Sequence, residues 1–181
     1  MKISREVKIK ITKLFKSGKS VDEIMLAVGD DYPRITATRI NEVVRKHLFE
    51  QADELWSIAV KIGGRCEISG KTYNLEAHHL IKRDNLQYRW DLRNGICLNS
   101  QFHLIAHTED LTFLELLRIN RPVQYGWFTN AIITFTIETN EHLLQICKDL
   151  KEFISKGKHN AHSNNEDIGK RNRVITEADA V

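Results

Sequence analysis

Two adjacent histidines, His78-His79, are followed by Asn94 and then by His103 and His107, four residues apart. Four of the eight histidines of this 181-residue chain thus fall within thirty residues of one another. The spacing restricts the local fold. His103 and His107, four residues apart, share one face of a helix. Adjacent residues of a strand point to opposite sides of it, so His78 and His79 cannot both face one ion without distortion. The residues between agree with that reading. Leu75, Ala77 and Leu80 lie in a β-compatible stretch, and Ser69-Gly70-Lys71 before them predicts a hairpin turn. Ile96 and Leu98, then Phe102, Ile105 and Ala106, predict a short strand followed by a helix. The expected order is strand, strand, helix around a histidine cluster.

Imidazole is the commonest transition-metal ligand and the side chain best suited to move protons near neutral pH. Phosphodiester hydrolysis needs a deprotonated water and charge stabilisation at the reacting phosphate. His103 and His107 can hold one ion together with His78, three ligands that leave positions open. His79, on the other strand face, is then free to act as general base. Asn94 can bridge backbone groups across the loop and hold the His79 segment in place. Lys82, Arg83 and Arg89 follow the histidine pair and are candidate phosphate contacts. Three imidazoles suit Zn²⁺, Ni²⁺ or Mn²⁺ better than Mg²⁺, although Mg²⁺ or Mn²⁺ could support turnover.

Upstream, Val7, Ile11, Leu14 and Phe15 line one face of a predicted helix whose other face carries Lys and Arg. Ser20 with Glu23 forms a capping box opening a second helix that stops at Gly29. A third helix is expected from about Thr36 to Glu50, and a separate one over 51–64 ending at Gly63-Gly64. Three amphipathic helices with a tight turn resemble a helix-turn-helix unit, with Arg34, Thr36, Thr38, Arg39 and Asn41 as candidate DNA contacts. A plain helical spacer or dimer contact has the same pattern. Residues 1–50 carry eleven Lys/Arg against seven Asp/Glu, whereas 109–181 carry nine against eleven. The basic end is the candidate nucleic-acid end.

Residues 109–120 and 141–156 read as helices, the AIITFTIET run between them as a strand, and 157–181 as a disordered tail. The expected class is α+β, mainly helical. Its parts are a helix-turn-helix-like segment (1–50), a central core (51–110), helices packing on that core (111–156) and the tail. No apolar run nears the roughly 18 residues of a membrane span, and the N-terminus lacks a signal-peptide core, which predicts a cytoplasmic protein without a membrane partner.

The string His-His, fourteen residues, Asn, eight residues, His, three residues, His resembles the HNH nuclease motif. Its spacing is similar to that of the His-His subclass in colicin DNase domains. The flanks LWSIAVKIGGRCEISGK and RWDLRNGICL resemble phage and mobile-element HNH proteins, so that the likeness covers roughly 52–110. It implies a ββα-metal fold and one divalent ion on His78, His103 and His107. It also implies a His79 base, a positional Asn94, and cleavage of duplex DNA to 3′-hydroxyl and 5′-phosphate ends. A homing-type, restriction-type or structure-specific enzyme fits, and so does a non-catalytic metal-stabilised DNA-binding module.

Many HNH relatives add a zinc on two CxxC pairs. Here those positions fall on Cys66, Ser69, Asn99 and Phe102, so no four-cysteine zinc is expected. Cys66, Cys97 and Cys147 read instead as small buried hydrophobes.

Overall fold

The computed structural model describes residues 3–134, 136 and 138–157. Ile40, Val44, Leu48, Ala52, Trp56 and Ala59 form one buried stripe at three- and four-residue spacing along helix α3 (Ala37–Val60). The expected break near residue 50 is absent. No glycine or proline interrupts 37–60, and the apolar stripe continues in phase, so the helix propagates for 24 residues from its Thr36 cap.

Two shorter helices pack against the first half of α3. Helix α1 (Arg5–Lys16) is capped by Ser4 and buries Val7 and Ile11. Helix α2 (Val21–Gly29) opens with the expected capping box, Ser20 and Glu23 bonding reciprocally, and buries Ile24 and Val28. A fourth helix, residues 140–157, adds Leu143, Cys147, Leu150 and Ile154 to this same cluster. The Cys147 thiol donates to the Leu48 carbonyl of α3 (3.8 Å), and Asn140 reaches Asn41 (3.2 Å).

Strands β1 (Leu75–His79) and β2 (Gly95–Asn99) form a two-stranded antiparallel sheet, with His78 opposite Ile96 and His79 opposite Gly95. Helix α4 (Ser100–Thr108) follows β2 directly, capped by the Asn99 side chain on the Phe102 N–H. The order is mixed α and β, mainly helical. Helices α5 (Asp110–Asn120) and α6 (Pro122–Thr129) complete the chain's second cluster, built on Cys66, Ile96, Leu98, Phe113 and Leu117.

The hairpin differs from the expected one. Ser69-Gly70-Lys71 does turn, with Gly70 at φ +72° and paired backbone bonds between Cys66, Gly70 and Lys71, but residues 65–74 form no strand. Glu67 takes both backbone groups of Cys97, its N–H donating to the carbonyl (2.8 Å) and its carboxylate accepting from the N–H (2.9 Å). The turn is therefore fastened to β2 at Glu67, and β1 pairs with β2 across the long 80–94 loop.

The β-prone run 131–139 shows no strand among its described residues, while Phe135 and Ile137 lie outside them. Backbone groups of Ile132 and Thr134 meet side chains. Tyr88 donates to the Ile132 carbonyl, and Gln87 accepts from the Thr134 N–H. The expected tail after Gly157 lies outside the described residues. Among those described, no helix is long and apolar enough to cross a membrane.

Candidate metal centre and its flanking histidine

Strand parity sends His78 to the sheet face covered by α4 and α5. There it meets both helix histidines: ring centroids are 5.2 Å apart for His78–His103, 4.9 Å for His78–His107 and 4.7 Å for His103–His107. One ligand atom from each lies within 4.8 Å of the others, close enough to hold one metal ion. Phe113 of α5 closes the inner side against His78 (5.5 Å, edge-on). Burial grades across the group: His78 is buried, His103 half-buried and His107 exposed, so the cluster opens to solvent at one end.

The donor set suits a cation. Burial, followed by the neighbouring His103 and His107, pushes the His78 pKa down to about 4, so at neutral pH its ring is uncharged with a free lone pair. Glu76, two residues earlier on the same strand face, places a carboxylate oxygen 3.2 Å from His103 Nδ1. This partner fixes the ring with Nδ1 protonated and leaves Nε2 as the ligating atom. Sequence reasoning did not single out Glu76, yet the period of two along β1 contains the signal.

His79 faces the other way, onto the C-terminal half of α3. Its ring stacks on Trp56 with centroids 3.7 Å apart and planes 10° from parallel. Its Nε2 lies 2.9 Å from the Arg89 carbonyl. A carbonyl only accepts, so Nε2 carries the proton and Nδ1 keeps a lone pair. Burial lowers the His79 pKa; the Arg89 carbonyl and Asp53 oppose it, and Arg89 and Arg83 add to it. The ring is neutral at physiological pH and able to accept a proton.

No family model, curated protein or solved structure matches this chain. What the site can do therefore rests on its own geometry.

Asn94 is fully buried at the end of the 3₁₀ turn Leu92–Asn94 that leads into β2. Its Oδ1 accepts from the Ile81 N–H (2.6 Å), and its Nδ2 donates to the carbonyls of Ile81 (3.0 Å) and Tyr88 (2.9 Å). The backbone carbonyl of Asn94 also accepts from the Leu80 N–H. One side chain thus closes the 80–94 loop immediately after His79.

Arg89 is not a free phosphate clamp. Its guanidinium binds Asp53 twice (2.9 and 2.7 Å) and the Arg83 carbonyl (2.9 Å), and it lies over Phe49 and Trp90. Trp90 donates to the same Asp53 (2.9 Å). Arg89 is therefore a strut between α3 and the loop, a role with no local sequence signal because Asp53 lies 36 residues away. Lys82 and Arg83 remain exposed beside it, Arg83 also 3.8 Å from Asp53. Arg34, Thr36, Thr38, Arg39 and Asn41 are all exposed around the start of α3, with Arg39 paired to Glu42 (2.7 Å).

The four positions discussed for a cysteine zinc also meet. Cys66 Sγ accepts from the Ser69 N–H (3.4 Å) and lies 3.9 Å from Asn99 Oδ1, which in turn caps Phe102. Burial works to raise the Cys66 pKa, but the bonds from Ser69 and nearby backbone groups outweigh it and leave the thiol below its usual range. Cys97 behaves oppositely, pushed up to about 11 by burial first and by Glu67 second. Cys66, Cys97 and Cys147 are all buried free thiols.

Proposed function

We propose that this chain is a metal-dependent endonuclease of the HNH (ββα-metal) type that hydrolyses phosphodiester bonds in duplex DNA. The observation that carries this reading is the division of the adjacent histidines. His78 joins His103 and His107, while His79 is held apart on Trp56 with its Nδ1 lone pair left over.

His78, His103 and His107 would hold one divalent ion, with Glu76 orienting His103. A bound Zn²⁺, Ni²⁺, Mn²⁺ or Mg²⁺ would supply charge stabilisation at the scissile phosphate. His79 accepts the proton of the attacking water at Nδ1, and the resulting imidazolium is stabilised by the Arg89 carbonyl on Nε2 and by nearby Asp53. Asn94 keeps the His79 loop in one conformation. Lys82 and Arg83 face solvent beside it and contact the flanking phosphates. The helices of residues 1–50 form the DNA-recognition unit, and a phage or mobile-element homing enzyme fits this combination of parts.

Nicking of supercoiled plasmid by the full chain tests the reading. The wild type converts plasmid to open circles with at least one of Mg²⁺, Mn²⁺, Ni²⁺ or Zn²⁺. His79→Ala still binds the ion but cleaves roughly 10²- to 10⁴-fold more slowly. Absence of cleavage with all four metals favours a metal-stabilised DNA-binding module instead.

A further inference from the structure

The charged side chains of the N-terminal helices are unevenly paired. Lys10 binds Asp31 (2.6 Å), Lys19 binds Glu23 (2.7 Å), Arg39 binds Glu42 (2.7 Å) and Lys46 meets Glu50 (3.7 Å). Arg5, Lys8, Lys13 and Lys16 form no ion pair with any described residue, and all four are exposed. They lie on the outer face of α1, opposite Val7 and Ile11, and with Ile9 and Thr12 they line one shallow groove of about 460 Å³. Glu6 is the sole acid of the helix and sits at the edge of that face.

Like charges three and four residues apart on a helix repel and cost stability. Glu6 and the C-terminal end of the helix dipole near Lys13 and Lys16 offset part of that repulsion, but the outer face of α1 stays net positive and attracts an external polyanion. The positive field reaches further. His47 of α3 has a lowered pKa, through burial first and then through Lys16 and Lys151, with Glu50 opposing. Lys151 belongs to the 140–157 helix, so Lys16 and Lys151 approach His47 of α3 from two different helices, with Glu50 also near.

At 1.5 Å per residue, Arg5 to Lys16 spans about 16 Å. Duplex DNA carries one phosphate charge per roughly 1.7 Å of axis. We propose that the outer face of α1, through Arg5, Lys8, Lys13 and Lys16, seats the phosphate backbone of duplex DNA and is the principal electrostatic contact of the N-terminal helices. This rests on the nuclease reading, and it moves the contact away from the start of α3. There Arg39 already has an acidic partner and Asn41 is bonded to Asn140. Cations gathered on one helix face suit a backbone contact that grips without reading bases.

The test is fluorescence anisotropy of a labelled 30-base-pair duplex with the full chain carrying His79→Ala, titrated across a salt series. Replacing Lys8, Lys13 and Lys16 with Gln lowers the slope of log affinity against log salt by about 2–3, near 0.9 per lost phosphate contact. Replacing Arg34, Thr38 and Arg39 with Ala changes that slope by less than about 1. Unchanged circular dichroism and melting of the Gln variant show that it folds. The reverse ranking of the two triple variants overturns the proposal, as does equal affinity of wild type and Gln variant. Tighter binding to vesicles of anionic phospholipid than to the duplex overturns it too. Because binding is read without cleavage, plasmid nicking reports separately on the nuclease reading.

Discussion

The imidazole of His79 lies flat on the indole of Trp56, 3.7 Å between centroids, while the Trp56 N–H donates to the Asp91 carbonyl (3.1 Å). Trp56 also approaches the strand so closely that a Cβ on Gly95 would lie 2.8 Å from its ring and 2.3 Å from Val60. A single buried residue of α3 therefore sets the position of His79 and holds the 3₁₀ turn, and together with Val60 it requires glycine at the start of β2.

Trp56→Phe keeps an aromatic surface but removes the bond to Asp91 and part of the packing. It should lower stability by about 1–3 kcal/mol in urea unfolding. If the stack positions His79, cleavage falls with it while metal affinity measured by calorimetry stays within about twofold. An equal loss of metal affinity would show that Trp56 supports the whole sheet and not His79 in particular.

Asn94→Ala should leave the Ile81 N–H and the carbonyls of Ile81 and Tyr88 without partners inside the protein. The expected cost is about 2–4 kcal/mol of stability. Asn94→Asp should be worse than Ala, because it sets a carboxylate oxygen against two carbonyl oxygens. Denaturant midpoints of the three proteins check the order.

Glu76→Gln removes the carboxylate from His103 Nδ1 while leaving His78 and His107 untouched. Metal affinity should drop by roughly tenfold, the low end of such effects because Glu76 is 45% exposed. His103→Ala and His107→Ala should lose the ion, and wild-type protein should take up one ion per chain in a competition titration with a chromogenic chelator.

The metal-free protein should lose stability in acid through His78. Its folded pKa, about 4, lies below the usual 6.5, so between these values the unfolded chain binds the extra proton. Stability from this group is complete above pH 6.5 and is lost as the pH falls toward 4, about 3 kcal/mol in all. Urea midpoints of chelator-treated protein at pH 7.5, 5.5 and 4.5 measure this, and His78→Gln should flatten the profile over the same range.

Asp53→Asn should weaken the strut to Arg89 and Trp90. The Asp53 carboxyl is subject to burial, which raises its pKa, but the Arg89 and Trp90 bonds outweigh that and hold it below the usual range. The variant should be less stable at neutral pH, with the difference vanishing as the pH falls through the lowered carboxyl pKa. Arg83→Ala, in contrast, should alter stability little, since that side chain is 66% exposed.

By itself the sequence determined the local pieces, because each depends on neighbours within a few residues. The capping box at Ser20 and Glu23 is local chemistry, and the shared face of His103 and His107 follows from helical spacing. The opposite facing of His78 and His79 follows from the pleat of a strand. Tertiary structure decided what those pieces meet. α3 runs through residue 50 because its apolar stripe finds continuous partners, first in α1 and α2 and then in the sheet. The Ser69-Gly70 turn is tied to Cys97 through Glu67 without forming a strand, and the β-prone run after 130 shows none among its described residues. Arg89 becomes a strut and Trp56 a platform because folding brings α3 against the loop. Such pairs lie more than twenty residues apart in the chain, where periodicity and propensity carry no signal and only packing chooses the partner.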